Sequence, residues 1–371
     1  MGCGAPVAGR SLGPVPRSIT PPTSSSRLPA NVLSSMLGRI ADGEAEPDAV
    51  LRLEQRIAEV LGKPAAVMFP SGTMAQQVAL RIHADRRGVR TVAFHPQCHL
   101  EVHEHKGYSV VHGLTAALVG DPFAVIRLAD LAEVREPVAA LLLELPQRDL
   151  GGQLPSWEDL VAQTEWAHER GAAAHMDGAR LWEAQTFYGR PYAEIAALFD
   201  SVYVSLYKGL MAVSGAVLAG QRDFIEHATV WRNRLGGDMA RAWPFAMSAE
   251  RGLDELLPRM GEFAERARKL AAVLAALPGV HIVPDPPQTP MFHLHLDAQP
   301  DAVAAAANQL REESSLMPPR YVRPSSSPLQ CSYEITVSEQ LDEVTDAEIG
   351  DLIAELLSRA QSSSSSSSSS D

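Results

Sequence analysis

The sequence predicts an α/β fold: a mostly parallel central sheet with helices on both faces, followed by a smaller α+β domain at the C-terminus. Short apolar runs bounded by turn residues recur along the first two thirds of the 371 residues. Each run leads through a polar loop into a stretch with helical spacing, an order typical of parallel sheets with crossover helices. Further strand-like runs lie between helical segments near the C-terminus, which indicates the second unit.

Composition excludes several classes of protein. The chain carries 32 Lys and Arg against 45 Asp and Glu, a net charge of −13 at pH 7. Such an acidic surface repels nucleic acid and anionic membranes, so we expect neither as a partner. No apolar run is long enough for a membrane span, and the N-terminus lacks a hydrophobic signal core. Three widely separated cysteines predict no disulfide framework and no zinc site, and the default location is the cytoplasm.

Shifts in composition predict the domain organisation. Residues 1–30 are rich in Pro, Ser and Gly, which predicts a disordered arm. Residues 361–371 are almost entirely serine and predict a disordered tail, because serine buries no apolar surface. Between them we expect a large domain over residues 31–265 and a small α+β domain over residues 266–360.

The first strand of the large domain leads into a candidate anion site. Helical spacing over residues 48–61 is followed by an apolar strand at 65–69, then by Ser71, Gly72 and Thr73 at the start of another helix. The free amides of a first helical turn and the two hydroxyls favour a phosphate. The alternative is an ordinary helix N-cap, where serine is preferred in any case.

A histidine-rich stretch follows the next predicted strand, residues 91–94. If residues 98–106 are helical, His99 and His103 share a face, as in some zinc sites. Glu101 is misplaced for that motif, and pairing of imidazoles with carboxylates on a solvated helix is the simpler interpretation. A third interpretation places a histidine ring beside a cofactor. We expect no metal site.

Polar residues follow several predicted strands at the same edge of the sheet. Strands at 139–144, 172–176 and 202–206 are apolar, and Asp177 and Lys208 come just after the second and third. Ligands of such sheets bind beyond the carboxyl ends of the strands. Ser71, His99, Asp177 and Lys208 are therefore expected to meet at one site.

Lys208 is the only charged residue between Asp200 and Gly220. Burial lowers the pKa of a lysine from about 10.4, and an amine near neutrality is a Schiff-base nucleophile. The alternative is a lysine that reaches solvent from the edge of a strand.

The C-terminal third predicts a helix at 222–235, a long helix at 253–277 with a break at Pro258, and a small domain. The small domain is expected to contain strands at 280–283, 291–296 and 334–337 and helices at 301–313 and 346–360. His293 and His295 alternate with apolar residues, which we interpret as the solvated face of a strand.

Together, the candidate residues match the needs of pyridoxal 5′-phosphate. That cofactor needs an amine, a carboxylate at its ring nitrogen, a phosphate cup and a flat group against the ring. Lys208 could provide the amine and Asp177 the carboxylate. The 71–73 segment could form the phosphate cup, and His99 could lie against the ring.

Three motifs carry a family resemblance: residues 70–75 (Pro-Ser-Gly-Thr-Met-Ala), 175–181 (His-Met-Asp-Gly-Ala-Arg-Leu) and 205–210 (Ser-Leu-Tyr-Lys-Gly-Leu). They resemble the motifs of the low-specificity L-threonine aldolases, in the β-eliminating lyase group of fold-type-I pyridoxal-phosphate enzymes. The resemblance implies that fold, that cofactor and a homodimer or homotetramer. It also implies retro-aldol cleavage of β-hydroxy-α-amino acids such as L-threonine or L-allo-threonine to glycine and an aldehyde.

The resemblance assigns roles residue by residue. Lys208 would hold the cofactor covalently, Asp177 would bond the ring nitrogen, and His99 would stack on the ring and take part in proton transfer. Arg180 would hold the substrate carboxylate or the cofactor phenolic oxygen. The remaining cofactor contacts would come from Ser71, Gly72, Thr73 and Ser205.

Two departures from the family pattern bear on the substrate. Residues 145–148 (Leu-Pro-Gln-Arg) stand where an Asn–His pair is common, and Glu334 lies in a segment where a carboxylate-binding arginine is common. Arg148 is a candidate replacement for that arginine. The alternatives are therefore another pyridoxal-phosphate reaction (β-elimination, racemisation or transamination) or a non-catalytic relic of the fold.

Overall fold

The computed structural model describes residues 17–18, 29–41, 48–319, 321–325 and 327–367. Most of the predicted N-terminal arm and the last four residues of the predicted tail lie outside these ranges. Within them, none of the helices combines the length and the hydropathy needed to cross a bilayer.

Helices and strands alternate through most of the described chain. The α-helices are α1 Pro29–Ala41, α2 Ala49–Val60, α3 Gly72–Arg87, α4 His99–Val102, α5 Gly107–Val110, α6 Leu128–Ala132, α7 Trp157–Glu169, α8 Leu181–Tyr188, α9 Tyr192–Ala197, α10 Arg222–Arg234, α11 Trp243–Glu255, α12 Met260–Ala275, α13 Pro300–Glu313 and α14 Asp346–Ser367. The strands are β1 Arg17–Ser18, β2 Ala65–Phe69, β3 Thr91–Phe94, β4 Thr115–Leu118, β5 Ala140–Glu144, β6 Ala173–Gly178, β7 Ser201–Ser205, β8 Ala216–Gly220, β9 Val280–Val283, β10 Met291–Leu296, β11 Leu316–Met317, β12 Arg323–Pro324 and β13 Cys331–Thr336.

Seven of the described strands form the central sheet, in the order β2-β8-β7-β6-β5-β3-β4. Five adjacent strands are parallel to one another: β7, β6, β5, β3 and β4. Strand β8 is antiparallel to both of its neighbours, β2 and β7. Every residue of β5, β7 and β8 is buried, as expected for strands covered on both faces. The predicted fold class is therefore confirmed.

The side chains of β2 show how the sheet separates two layers of core. Val67 and Phe69 pack in one hydrophobic cluster with residues of α3 and α10. Met68, between them, belongs to the larger cluster that also contains residues of α2 and α11. This alternation follows from the two-residue period of a strand. Because β8 is antiparallel to both β2 and β7, β2 runs in the same direction as β7, and α3 begins at the edge of the sheet where β6 and β7 end.

A second sheet, with the order β12-β13-β10-β9, is antiparallel and packs with α12, α13 and α14. The helix break predicted at Pro258 is confirmed, because a short 3₁₀ turn, Leu257–Arg259, separates α11 from α12. The interpretation of His293 as solvated is wrong, since it is 5% exposed and lies opposite Glu334 in the register of β10 and β13. The division into domains at residue 265 stays a prediction.

The C-terminal helix differs from the prediction. The serine run was expected to be disordered from residue 361, but α14 continues to Ser367. Serine has a moderate helix propensity, and the run continues a helix already fixed by packing of Ile349, Ile353 and Leu356. The Ser362 hydroxyl also donates a hydrogen bond to the carbonyl oxygen of Ser358 at 2.8 Å.

Gly151 provides a test of how the two sheets are joined. Its φ is +75°, and a Cβ there would lie 2.2 Å from the carbonyl oxygen of Val283 at the end of β9. We expect Gly151→Ala to lower the free energy of unfolding by about 3 kcal/mol or more, because backbone strain and a backbone clash add.

Gly88→Ala is the matched control, since Gly88 has a φ of +70° but nothing within 4 Å of the added Cβ. Its expected loss is about 1 kcal/mol, from strain alone. Urea denaturation of both variants measures the difference, and equal losses would contradict the proposed close approach of the sheets.

Candidate active site

A cavity of about 390 Å³ lies between the carboxyl edge of the central sheet and the second sheet. Its lining comes from segments that follow strands of the central sheet, from β13 of the second sheet and from neighbouring helices. The polar residues used below are His99, Arg148, Arg180, Glu183, Lys208, Arg323 and Glu334. Four of the nine residues predicted for the site, His99, Arg148, Arg180 and Lys208, are thus brought to one cavity.

Lys208 follows β7 and is half-buried. Burial lowers the pKa of its amine, and the guanidiniums of Arg180 and Arg148 lower it further, while the carboxylates of Asp177 and Glu144 oppose the change. A larger fraction of Lys208 is therefore unprotonated near neutral pH than for an ordinary lysine. This is the state in which an amine attacks an aldehyde.

Asp177 lies on β6, the neighbour of β7, and is 1% exposed. Its Oδ2 accepts a hydrogen bond from the Gln76 side chain at 2.7 Å, and its Oδ1 accepts one from the Ala179 amide at 3.0 Å. Burial raises the pKa of Asp177, whereas the charges of Lys208 and His99 lower it. The two predicted charged residues therefore interact electrostatically at the ends of adjacent strands.

Glu144, which was not predicted, ends β5 directly beside Asp177 in the strand register. Its Oε2 accepts from the His99 amide at 3.2 Å, and its Oε1 accepts from the Arg148 amide at 3.1 Å. Burial and the Asp177 carboxylate raise the pKa of Glu144 to about 8. Glu144 thus holds the backbone of two candidate site residues, and its place at a strand end was the available signal.

His99 is the first residue of α4. Its Nδ1 lies 3.0 Å from Glu104 Oε1, and the other Glu104 oxygen accepts from the Gln77 side chain at 2.9 Å. Burial lowers the pKa of His99, but the Glu104 hydrogen bond and the Asp177 charge outweigh it and the pKa is raised. The imidazole orientation is consequently set by a chain of buried side chains.

The helix considered for residues 98–106 is much shorter, because α4 ends at Val102. The His99 and His103 rings are still 5.0 Å apart, but His103 is bonded to Asp149 at 2.6 Å rather than to a shared ligand. Among the described residues, no three His, Cys, Asp or Glu side chains are grouped to hold a metal ion. Pairing of imidazoles with carboxylates is the arrangement present.

The 71–73 segment forms the start of α3. Ser71 is the N-cap, and its hydroxyl accepts from the Met74 amide at 3.2 Å. A Cβ on Gly72 would lie 2.0 Å from the hydroxyl oxygen of Tyr203, a buried residue of β7. Only glycine fits there, so β7 and the start of α3 are in close contact. Ser205, at the end of β7, is fully buried.

Glu334, on β13, lies at the centre of an arginine cluster. It accepts hydrogen bonds from Arg180 at 2.6 Å, Arg148 at 2.8 Å and Arg323 at 3.0 Å. Burial raises the pKa of Glu334, but the three guanidiniums outweigh it and lower the pKa to about 2. Arg323 also donates to Asp149 at 3.0 Å. Three guanidiniums thus meet the carboxylates of Glu334 and Asp149, and Arg180 is also paired with Glu183 at 3.9 Å.

Glu183, on α8, is the second carboxylate that sequence reasoning missed. It is 2% exposed, and neither of its oxygens has a hydrogen-bond partner in the described structure. The Arg180 guanidinium is 3.9 Å away. Burial raises the pKa of Glu183 to about 7, although Arg180 and Lys208 oppose the change. A glutamate on a short helix carries no local signal for such an environment.

Glu183 makes the stability of the protein depend on pH. Because its folded pKa is above the ordinary value of 4.5, the folded state binds more protons than the unfolded state between about pH 4.5 and 7. Its contribution to the free energy of unfolding therefore falls as pH rises through this range. We expect the stability of Glu183→Gln relative to wild type to increase by on the order of 2–3 kcal/mol from pH 5 to pH 8.

Thermal and urea unfolding at both pH values measure this change. Glu59→Gln, at an exposed position of α2, is the control and should show no comparable change. A Glu183→Gln difference that is the same at pH 5 and pH 8 would contradict a raised pKa of Glu183 in the folded protein.

The chain is similar to known proteins over most of its length. Residues 19–299 match the beta-eliminating lyase family model. Low-specificity L-threonine aldolase 1 of Arabidopsis thaliana is 30% identical over 303 residues, which are 78% of this chain and 83% of the relative. The low specificity L-threonine aldolase of Escherichia coli (strain K12) is 31% identical over 239 residues, 63% and 71% of the two chains.

Solved structures show the same relationship. A Listeria monocytogenes protein assigned as an L-allo-threonine aldolase has a TM-score of 0.85 and 37% identity, covering 93% of this chain and 96% of that one. The Leishmania major threonine aldolase, at 20% identity and a TM-score of 0.65, covers 89% of this chain and 95% of its own and shares the fold. From the family match and these structures, we conclude that this chain is a member of the beta-eliminating lyase family with the fold of type-I pyridoxal-phosphate enzymes.

Proposed function

We propose that this protein is a pyridoxal-phosphate-dependent aldehyde-lyase. It cleaves β-hydroxy-α-amino acids such as L-threonine or L-allo-threonine to glycine and an aldehyde. The observation that supports this most directly is the electrostatic interaction of Lys208, which lines the cavity, with Asp177 on the adjacent strand. When bound, pyridoxal phosphate supplies an aldehyde that reacts with amines and a ring that accepts electrons.

The residues present fit this cofactor. Lys208 provides the amine, and Asp177, held in place by Gln76 and the Ala179 amide, provides a buried carboxylate for the ring nitrogen. The start of α3 offers free amides to a phosphate, and Gly72 leaves room there that a Cβ would fill. We assign the phosphate contacts to Ser71, Gly72 and Thr73 and a further cofactor contact to Ser205.

His99 is the proposed acid–base residue at the β-hydroxyl and the group that covers the cofactor ring. Because Glu104 is bonded to Nδ1, exchange of a proton with the substrate falls to Nε2. The pKa of His99 is raised because the Glu104 hydrogen bond and the Asp177 charge outweigh burial, which favours the protonated imidazole. A positioned residue of this type typically contributes ~10²–10⁴-fold to the rate.

Arg180 and Arg148 are the proposed ligands of the substrate carboxylate. Both line the cavity and both donate to Glu334, so Glu334 holds their guanidiniums in place. The guanidiniums that line the cavity offer further donors to a carboxylate. Glu334 does not prevent binding of the substrate carboxylate, because the charge of Glu334 is already balanced by the arginines.

The direct test is release of acetaldehyde from L-allo-threonine by the purified protein saturated with cofactor. We expect Lys208→Ala to abolish both this activity and the visible absorbance of the bound cofactor, because the only proposed covalent attachment is removed. Lys63→Ala is the matched control, since Lys63 is also partly buried but donates to the Phe199 carbonyl away from the cavity.

The alternatives give different results in the same experiment. In the absence of acetaldehyde, 2-oxobutyrate with ammonia would indicate β-elimination, 2-oxo-3-hydroxybutyrate would indicate transamination, and inversion at the α-carbon would indicate racemisation. A protein without cofactor absorbance, unchanged by Lys208→Ala, would be a non-catalytic relic of the fold. Either outcome would contradict the proposed aldehyde-lyase activity.

Gly72→Ala tests the phosphate end of the site. The added Cβ would meet the Tyr203 hydroxyl at 2.0 Å, so the start of α3 must move away from β7. We expect the Kd for pyridoxal phosphate to rise by at least about tenfold, or about 1.4 kcal/mol. Gly261→Ala on α12, where nothing lies within 4 Å, is the control, and an equal Kd in all three proteins would remove Gly72 from the site.

The remaining parts of the proposal concern the setting of the enzyme. We propose a cytoplasmic homodimer or homotetramer that acts on free amino acids, without a nucleic-acid or membrane partner. The acidic net charge of −13 and the family resemblance support this setting.

A further inference from the structure

Glu183 is a buried carboxylate that the proposed mechanism does not use. Its oxygens have no hydrogen-bond donor among the described residues, although the residue is 2% exposed and lines the cavity. Arg180 Nη1, at 3.9 Å, is beyond hydrogen-bond reach, and Arg180 donates through Nη2 to Glu334 at 2.6 Å. A buried carboxylate without a hydrogen-bond donor lowers stability, so its presence in a cavity points to a donor on a bound molecule.

The backbone beside Lys208 leaves space for this carboxylate. A Cβ on Gly209 would lie 2.9 Å from Glu183 Oε2, closer than real Cβ contacts allow. The carboxylate therefore rests against the chain one residue beyond Lys208. It is placed where a molecule that reacts at Lys208 would come within reach.

The charged and polar groups that face Glu183 come from several elements. Arg180 is the N-cap residue of α8, Lys208 follows β7, and Glu334 is on β13. Tyr192, on α9, also interacts with Glu183, but its hydroxyl donates to the Trp182 carbonyl. Helix α12 contributes Met260 and Phe263 to the cavity, both apolar. Since Arg180 is bonded to Glu334 and Lys208 is assigned to the cofactor, the donor for Glu183 is expected from the substrate.

The defining groups of a β-hydroxy-α-amino acid already have partners in the proposed site. The α-amine reacts at the position of Lys208, the carboxylate is attracted by Arg148 and Arg180, and the β-hydroxyl is assigned to His99. The Glu183 carboxylate would repel the substrate carboxylate, so the substrate does not bind with its carboxylate next to Glu183. The donor that Glu183 accepts must then lie further along the side chain.

On the basis of the function proposed above, we propose that Glu183 accepts a hydrogen bond from a hydroxyl or ammonium group on the γ-carbon of the substrate or beyond. The preferred substrates are then β-hydroxy-α-amino acids whose second product is a hydroxy-aldehyde or an amino-aldehyde. In this cleavage the Cα–Cβ bond breaks, the β-hydroxyl loses its proton to become the aldehyde, and Cα gains a proton to become glycine. The distal group is unchanged.

Binding of uncleavable analogues to the cofactor-loaded enzyme tests this assignment by calorimetry. L-Homoserine, L-2,4-diaminobutyrate and L-norvaline have equal numbers of heavy atoms and lack a β-hydroxyl, and they end in a hydroxyl, an ammonium and a methyl group. We expect wild type to bind homoserine or diaminobutyrate at least tenfold more tightly than norvaline. The preference should be lost in Glu183→Met, which keeps the length of the side chain.

Glu183→Gln separates the two donors. An amide oxygen still accepts from a hydroxyl but lacks the charge that favours an ammonium, so the variant should keep a preference for homoserine and lose one for diaminobutyrate. Equal affinity of wild type for all three analogues would overturn the proposal without any variant. A preference that persists in Glu183→Met would also overturn it.

Failure of this proposal is distinguishable from failure of the aldehyde-lyase function. Acetaldehyde release from L-allo-threonine together with no preference among the analogues removes only the role of Glu183. A matched cleavage pair, 4-hydroxythreonine and 3-hydroxynorvaline, extends the test to turnover, and we expect kcat/KM to favour the first by at least tenfold. Equal values would contradict the proposal.

Discussion

The interaction on which this site depends is the attraction between a buried carboxylate and a half-buried amine on neighbouring strands. Burial disfavours the charged form of both Asp177 and Lys208, and each is the other's nearby opposite charge. The parallel register of β6 and β7 fixes their relation, because Asp177 is paired with Tyr203 in the sheet. Tyr203 in turn contacts the start of α3 at Gly72. One pair of strands therefore positions the amine, the carboxylate and the candidate phosphate cup.

Much of the fold could be predicted because its signals are local. The short apolar strands and the break at Pro258 are visible in a few residues each, and the strand-end positions of Asp177 and Lys208 follow from them. The serine run was the main error, because composition alone does not show that it continues a packed helix. His293 was wrong for a related reason: alternation along a strand does not reveal whether its second face is covered.

The residues that the sequence did not reveal act through tertiary contacts. Gln76 reaches Asp177 only because α3 packs on the sheet, and Arg323 reaches Glu334 only because β12 pairs with β13. The local sequence around Glu183 is that of an ordinary helix. Only the tertiary structure shows that its carboxylate is buried beside the cavity without a hydrogen-bond donor. The hydrogen-bond partners and the burial of these side chains depend on elements that are far apart in the chain, so no local sequence pattern reveals them.

The arginine cluster has a mechanical consequence. Arg148 and Arg180 follow strands of the large sheet, whereas Glu334 and Arg323 lie on strands of the small antiparallel sheet. The hydrogen bonds of Arg148 and Arg180 to Glu334 therefore join the two sheets. An anion that enters the cavity and accepts hydrogen bonds from Arg148 or Arg180 competes with Glu334 for those guanidiniums. Binding of an anion and the hydrogen bonds that join the two sheets are therefore linked.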